Sequence, residues 1–277
     1  MAILLAILCT LSIGAGEHLA AGATKQTRSH EVTSAMFASG VVLTGLVALL
    51  WPGEPVARDL VFGAMAGVAN GTAILLLYAA YSRGTLRSAA PAAAVVMSAV
   101  PVGFDITTGG SPSILTWLGL GLGVAAIGLT SYQPADGEDD RFALGIAIVA
   151  GVVFGVLLIL LGEIGDDAGG SPLFVQRAVG LVIAVVATRA TGPRILPADP
   201  GARRTSLLVG VFATTAVILF VLAIQAGGSL AVVSVMGSQY AGVAVLLGVV
   251  LHQQRIRWWQ TLGLTMASVA VGLITVG

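Results

Sequence analysis

Apolar runs separated by short polar breaks organise this chain. Ten runs stand out, at 2–20, 32–50, 60–80, 88–104, 114–131, 142–161, 172–188, 206–224, 230–251 and 258–276. Each falls in the length range an α-helix needs to cross hydrocarbon. The breaks carry turn residues: Trp51-Pro52-Gly53, Gly109-Gly110-Ser111-Pro112, Gln133-Pro134-Ala135-Asp136-Gly137 and Gly169-Gly170-Ser171-Pro172. The longest break, 189–205, holds three prolines and four arginines and reads as a surface loop. Within the runs, Gly63, Gly67 and Gly71 recur every fourth residue, as do Gly119 and Gly123, and Gly151 and Gly155. That spacing bares one helix face so that a neighbouring backbone can approach.

Composition turns this pattern into a fold class. The chain is 57% hydrophobic and 9% charged, where soluble domains have about a quarter charged residues. The expectation is an all-α integral membrane protein of ten transmembrane helices. Net charge is formally zero, and no Lys/Arg cluster of the kind nucleic acid requires is present. Cys9 is the only cysteine, which rules out an intrachain disulfide and a cysteine-based metal site. No histidine partners His18 at metal spacing. No phosphate-binding Walker motif occurs, nor a catalytic triad or paired-carboxylate site, so neither a cofactor nor an enzyme activity is expected. Residues 1–23 could be a signal peptide ending in Ala21-Gly22-Ala23, but no Lys or Arg precedes the apolar run, and it is read as a retained span.

The chain also repeats itself. Leu118-Gly119-Leu120 corresponds to Leu262-Gly263-Leu264, Gly128-Leu129 to Gly272-Leu273, and Gly40-Val41-Val42 to Gly180-Leu181-Val182. Ala80–Gly84 falls on Ala223–Gly227 with one residue of slippage. The units are 1–135 and 141–277. Five spans per unit is an odd number, so the second copy enters the membrane from the opposite side, as in transporters that alternate access around a midplane site. Charge agrees with this. The loops after the odd-numbered spans hold Lys25, Arg28, Arg83, Arg87, Arg141, Arg189, Arg194, Arg203, Arg204, Arg255 and Arg257; the other face holds only Arg58, with Glu54, Asp59, Asp105, Glu163, Asp166 and Asp167. The positive-inside rule then places the protein in the inner or plasma membrane with both termini extracytoplasmic.

On the five-plus-five plan, on the arginine of Pro172-Leu173-Phe174-Val175-Gln176-Arg177, and on the C-terminal sequence VLLGVVLHQQRIRWWQTLGLTMASVAVGLITVG, nearly the whole chain resembles the drug/metabolite transporter superfamily of the EamA type. Gly248 fits the family's ninth span, but His252-Gln253 stands where a glutamate is usual, and Asp105 where the first repeat has one. The resemblance implies a transporter of small metabolites, often an exporter of amino acids or related compounds. It also implies a central cavity lined by spans of both halves.

Several interior polar residues are candidates to line it, since each is costly in hydrocarbon unless paired or solvated. Arg177 lies about six residues into its run, roughly 9 Å from the end at ~1.5 Å per residue. There it can hold a substrate carboxylate bidentately. It can also pair structurally with Glu17 or Glu163, or snorkel to the surface. Gln239, beside Ser238 and Tyr240, and Asn70 lie mid-span, where an amide suits either a polar solute or an interhelical hydrogen bond. Ser98 and Thr214 can serve the same cavity or return a hydroxyl proton to their own helix. Glu17 is a possible proton carrier, as first-span glutamates are in small multidrug relatives, although its place at the span's end reads as a hydrated interfacial acid. Tyr78 and Tyr81 read as interfacial anchors. Pro91 and Pro101 can kink the fourth span. The expected function is alternating-access transport, probable export being inferred from the resemblance, of a small polar metabolite such as an amino acid or derivative. The alternatives are a proton-coupled exporter of lipophilic cations and a non-transporting membrane scaffold or intramembrane enzyme.

Overall fold

A computed structural model describes residues 1–83, 86–109, 113–131, 138–252 and 258–276. The basic hinge with Arg255 and Arg257, and the breaks at 110–112 and 132–137, lie outside the described residues, as does the side chain of Arg87. Among the described residues there is no strand. The helices are α1 (Ala2–Gln26), α2 (Ser29–Leu50), α3 (Ala57–Arg83), α4 (Leu86–Thr107), α5 (Ile114–Ser131), α6 (Glu138–Gly162), α7 (Ser171–Thr191), α8 (Pro200–Gln225), α9 (Leu230–Ser238), α10 (Tyr240–His252) and α11 (Trp258–Val276), with a 3-10 turn at Asp166–Ala168.

An unbroken helix satisfies its own backbone, which hydrocarbon requires. Eight helical stretches are long and apolar enough to span, with shorter apolar stretches at Ile114–Ala126 in α5 and Thr261–Ala270 in α11. Their outer faces are unsuited to water: on α2 alone Val42, Leu46, Leu49 and Leu50 are largely exposed. The chain is a multi-pass membrane protein.

Three elements differ from the sequence reading. The ninth span runs over 230–251 as expected, but its helical ladder is interrupted for one residue between α9 and α10, where the Gln239 N–H bonds to the Met236 carbonyl three residues back. The helix α1 runs six residues past the expected end at Ala20, through Ala21-Gly22-Ala23-Thr24-Lys25-Gln26. Glu17 is therefore not at an edge but buried, and the reading of a hydrated interfacial acid does not hold. Tyr78 and Tyr81 are fully buried rather than interfacial.

The glycine spacing of α3 and α6 brings neighbouring backbones close, whereas at Gly123 a Cβ would make only ordinary contact with Ala270 at 3.8 Å. A Cβ on Gly67 would lie 2.6 Å from the Gln176 carbonyl, one on Gly63 would lie 2.5 Å from that of Pro172, and one on Gly71 would meet Ile183 at 3.0 Å, so α3 lies directly against α7. Gly151 and Gly155 bring α6 onto α4 in the same way, at Ala93 and Val100. Further pairings are α1 with α8 and α9–α10, α2 with α7 and α8, α3 with α6, and α5 with α11.

Short polar side chains stitch these contacts. Cys9 Sγ donates to the Ala216 carbonyl (3.2 Å) and Ser12 Oγ to that of Phe212 (2.8 Å), joining α1 to α8. Ser34 and Thr188 hydroxyls meet at 2.8 Å between α2 and α7. At one end of the bundle two loops interlock: Glu54 N–H donates to the Asp167 carbonyl (2.8 Å) and Gly170 N–H to that of Trp51 (3.0 Å). Gly169, at φ 62°, takes a left-handed conformation there that a side chain would strain. Asp59 accepts from Val56 N–H and Gly165 N–H, each at 3.0 Å. The Arg58–Glu163 ion pair (2.6 Å) closes the same end.

Candidate functional site

The close contacts enclose a cavity of about 80 Å³ among α1, α3, α4, α6, α7, α8 and the α9–α10 break, room for a few waters or part of a small solute. Its walls are mostly apolar, with Ile13, Leu77, Phe154, Leu158, Val217 and Phe220 among them. Four polar side chains reach it: Glu17 from α1, Asn70 from α3, Arg177 from α7 and Tyr240 from α10.

Arg177 is the largest fully buried side chain, 1% exposed. Two contacts hold it. Its Nη2 donates to the Ala213 carbonyl at 2.6 Å, and its Cζ lies 5.6 Å from the centre of the Phe37 ring. The absence of a side chain at Gly40 makes room for its stem: a Cβ there would stand 3.1 Å from Arg177 Cδ and 2.7 Å from Thr214 Oγ1. The Nε and Nη1 atoms have no partner. No carboxylate forms an ion pair with it among the described residues, and Glu163, one partner the sequence offers, pairs with Arg58 instead. A buried cation with free N–H groups is held at high energy until an anion meets it.

Glu17 is 6% exposed, and its Oε2 is unpartnered. The Tyr81, Tyr78 and Tyr240 hydroxyls lie close to it. The Tyr78 and Tyr81 rings stack at 5.8 Å, and Tyr78 Oη touches Met36 Sδ at 3.5 Å. Tyr240 Oη donates to the Ala90 carbonyl at 3.2 Å, tying α10 to α4. The cavity therefore presents the Glu17 carboxyl, the Asn70 amide, the Tyr240 phenol and the Arg177 guanidinium, joined by apolar wall.

The break in the ninth span belongs to this site. Thr10 Oγ1 on α1 donates to the Met236 carbonyl at 2.7 Å, and Gln239 N–H donates to the same oxygen at 3.1 Å. A Cβ on Gly14 would stand 2.5 Å from Val243 and 3.0 Å from the Tyr240 carbonyl, so α1 abuts α10 just past the break. Gly237 and Tyr240 line the cavity from here, while Gln239 is half-buried and is not among the lining residues.

The structure thus gathers Glu17, Asn70, Arg177 and Tyr240, and leaves Gln239, Ser98 and Thr214 off the wall. Ser98 donates to the Val95 carbonyl of its own helix at 2.8 Å. Thr214 is fully buried behind the Arg177 stem with its hydroxyl unpartnered. Tyr81 and Gln176 were not singled out as site residues. Gln176 is wholly buried with neither amide atom partnered, and its position beside Arg177 in an apolar run was the available signal.

No protein-family profile matches the chain, and no curated protein does. Its fold is similar to a solved structure described only as "Crystal structure of protein", with a TM-score of 0.77 over 99% of this chain and 96% of the other, at 12% identity.

Proposed function

We propose that the protein is an alternating-access transporter of the drug/metabolite superfamily, EamA type, moving a small solute with a carboxylate and an apolar body, most simply an apolar amino acid or derivative. The observation that carries this is the unpaired Arg177 guanidinium in a cavity whose remaining wall is largely apolar. A substrate carboxylate supplies the anion that Arg177 lacks, the amine can turn to Glu17, and the side chain takes the apolar wall.

The two-repeat plan is supported by the packing. If α1 to α5 are matched with α6, α7, α8, α9–α10 and α11, each main contact has its counterpart: α1–α8 with α6–α3, α2–α8 with α7–α3, and α1 with α9–α10 as α6 with α4. The α2–α7 and α5–α11 pairs map onto themselves. This is the relation expected of ten spans in two inverted halves that rock about a shared cavity. With the basic loops inside, both termini face out and the interlocked loops around Asp59 close the extracytoplasmic mouth.

Thermal unfolding of the purified protein against a panel of amino acids tests the reading, followed by counterflow in proteoliposomes. Apolar amino acids are expected to raise the melting temperature and to exchange, while sugars are not. No shift and no flux for any carboxylate-bearing solute refutes it. A second reading, proton-driven export of a lipophilic cation, is favoured by the unpartnered Oε2 of Glu17 and the apolar wall. It requires Glu17→Gln to abolish cation efflux while Arg177→Gln leaves it intact, the reverse of the first reading's emphasis.

A further inference from the structure

A second cavity, of about 500 Å³, opens at the basic end of the bundle where the α1–α2 turn meets the ends of α3 and α7. It shares no lining residue with the first cavity. Its rim carries Arg28, His30 and Arg83, with Ser29 between the first two, and its floor is Leu75, Ala79 and Ala187. We propose that this cavity binds a phosphate anion at the membrane rim.

Two guanidiniums reach the rim. Arg28 donates one Nη1–H to the Thr191 carbonyl at 3.3 Å, which orients the guanidinium without neutralising it. Arg83 rests over the Phe142 ring at 5.5 Å. Neither forms an ion pair among the described residues. His30 Nε2 meets Thr191 Oγ1 at 3.0 Å, which fixes the ring at the rim. Glu31, in the same turn, is buried and accepts from Thr27 Oγ1 at 2.7 Å. Two guanidiniums suit a phosphate, which offers several acceptor oxygens to each.

The floor distinguishes this from a bare basic patch. Leu75 and Ala79 on α3 and Ala187 on α7 are half-buried, and the outer face of α7 continues with exposed Val182 and Val186. A phosphate seated on the arginines can therefore carry an acyl chain down that face. The ligand comes from one of two sources with the same chemistry, the headgroup of an anionic phospholipid or a free phosphate ester. Basic pockets between spans at the cytoplasmic side are suited to the former.

The full chain in neutral detergent is titrated with phosphatidylglycerol, phosphatidylcholine and glycerol 1-phosphate, reading the melting temperature. Stabilisation by phosphatidylglycerol alone assigns the lipid headgroup; stabilisation by glycerol 1-phosphate as well shows that a free phosphate ester suffices. In either case R28A/R83A is expected to raise the half-saturating concentration at least about tenfold, each arginine contributing about fivefold. R203A/R204A, which removes exposed charge from the same end, is expected to bind normally. If R28A/R83A does not fold, Ala187→Phe, which fills the floor, takes its place with the same expected loss for phosphatidylglycerol. The proposal fails if no phosphate compound stabilises the protein, if phosphatidylcholine matches phosphatidylglycerol, if the cavity variant binds as wild type, or if R203A/R204A loses as much.

Discussion

Two adjoining stripes on the same side of α3 behave in opposite ways. Along one, Gly63, Gly67 and Gly71 let α7 come so close that no methyl group fits between the backbones. Along the other, Asn70, Ile74 and Leu77 border open space. Hydrocarbon supplies no hydrophobic force between helices, so association rests on close contact and on hydrogen bonds. The tight stripe provides that contact and fixes how far Arg177, on α7, can stand from Asn70. The open stripe borders the cavity because the tight one holds the helices in place, and Arg177 and Glu17 face that cavity with polar atoms left unpartnered.

The sharpest way to break this contrast is at Arg177. Arg177→Leu removes a buried cation with two unpartnered nitrogens, so folding stability is expected to stay level or rise, as when buried ionic groups give way to apolar ones. Affinity for a carboxylate substrate should fall by two to three orders of magnitude, on the order of 3–4 kcal/mol. Thermal unfolding and counterflow on the same preparation check both halves. A large loss of stability with transport intact shows that Arg177 serves packing.

Gly67→Ala tests the tight stripe. Its new methyl meets a backbone oxygen at 2.6 Å, which side-chain motion cannot relieve, so a cost of about 1–3 kcal/mol is expected. Ligand binding per folded molecule should change little if the cavity keeps its shape. Gly22→Ala is the control, because nothing lies within 4 Å of a Cβ there; it should be neutral or slightly stabilising. Equal losses at the two positions overturn the account of the α3–α7 contact.

The tight stripe was legible in the sequence and the open one only in part. The four-residue glycine period of α3 predicted the contact. Arg177 and Asn70 were legible as costs in hydrocarbon, although not as neighbours across a cavity. Glu17 was misplaced because the helix continues through alanines and glycine that carry little hydropathy, yet alanine is the best helix former. The break at Gln239 left no local signal, since glutamine propagates a helix well. Tertiary contacts meet there, with Thr10 Oγ1 at the Met236 carbonyl and α1 lying against α10. Tyr78 and Tyr81 read as interfacial because a tyrosine three residues from another shows no preference between an aromatic belt and a buried stack.

Asn70→Ala and Gln239→Ala sharpen the comparison at smaller scale. Asn70 lines the cavity and Gln239 does not, so the first should weaken substrate binding about fivefold to tenfold, one hydrogen bond's contribution of about 1 kcal/mol. The second should leave affinity unchanged while altering transport rate, if the break bends during the cycle. Matching affinity losses would place Gln239 on the substrate despite its position here.

The smallest effect is expected at the interlocked loops. Arg58 and Glu163 meet at 2.6 Å, but their side chains are 65% and 36% exposed, and solvent screens such a pair. Arg58→Ala should therefore cost no more than about 0.5 kcal/mol. Asp59→Ala, beside it, removes an acceptor from two backbone N–H groups that join the loops, at about 1–2 kcal/mol. The two residues are neighbours with opposite consequences because Asp59 is buried and bonded to backbone, whereas Arg58 is wet and bonded to a mobile side chain. Chemical unfolding of the two variants at low and high salt separates them. Salt should remove the small Arg58 effect and leave most of the Asp59 effect, and a salt-sensitive loss at both positions would mean that charge, not backbone bonding, holds this end of the bundle closed.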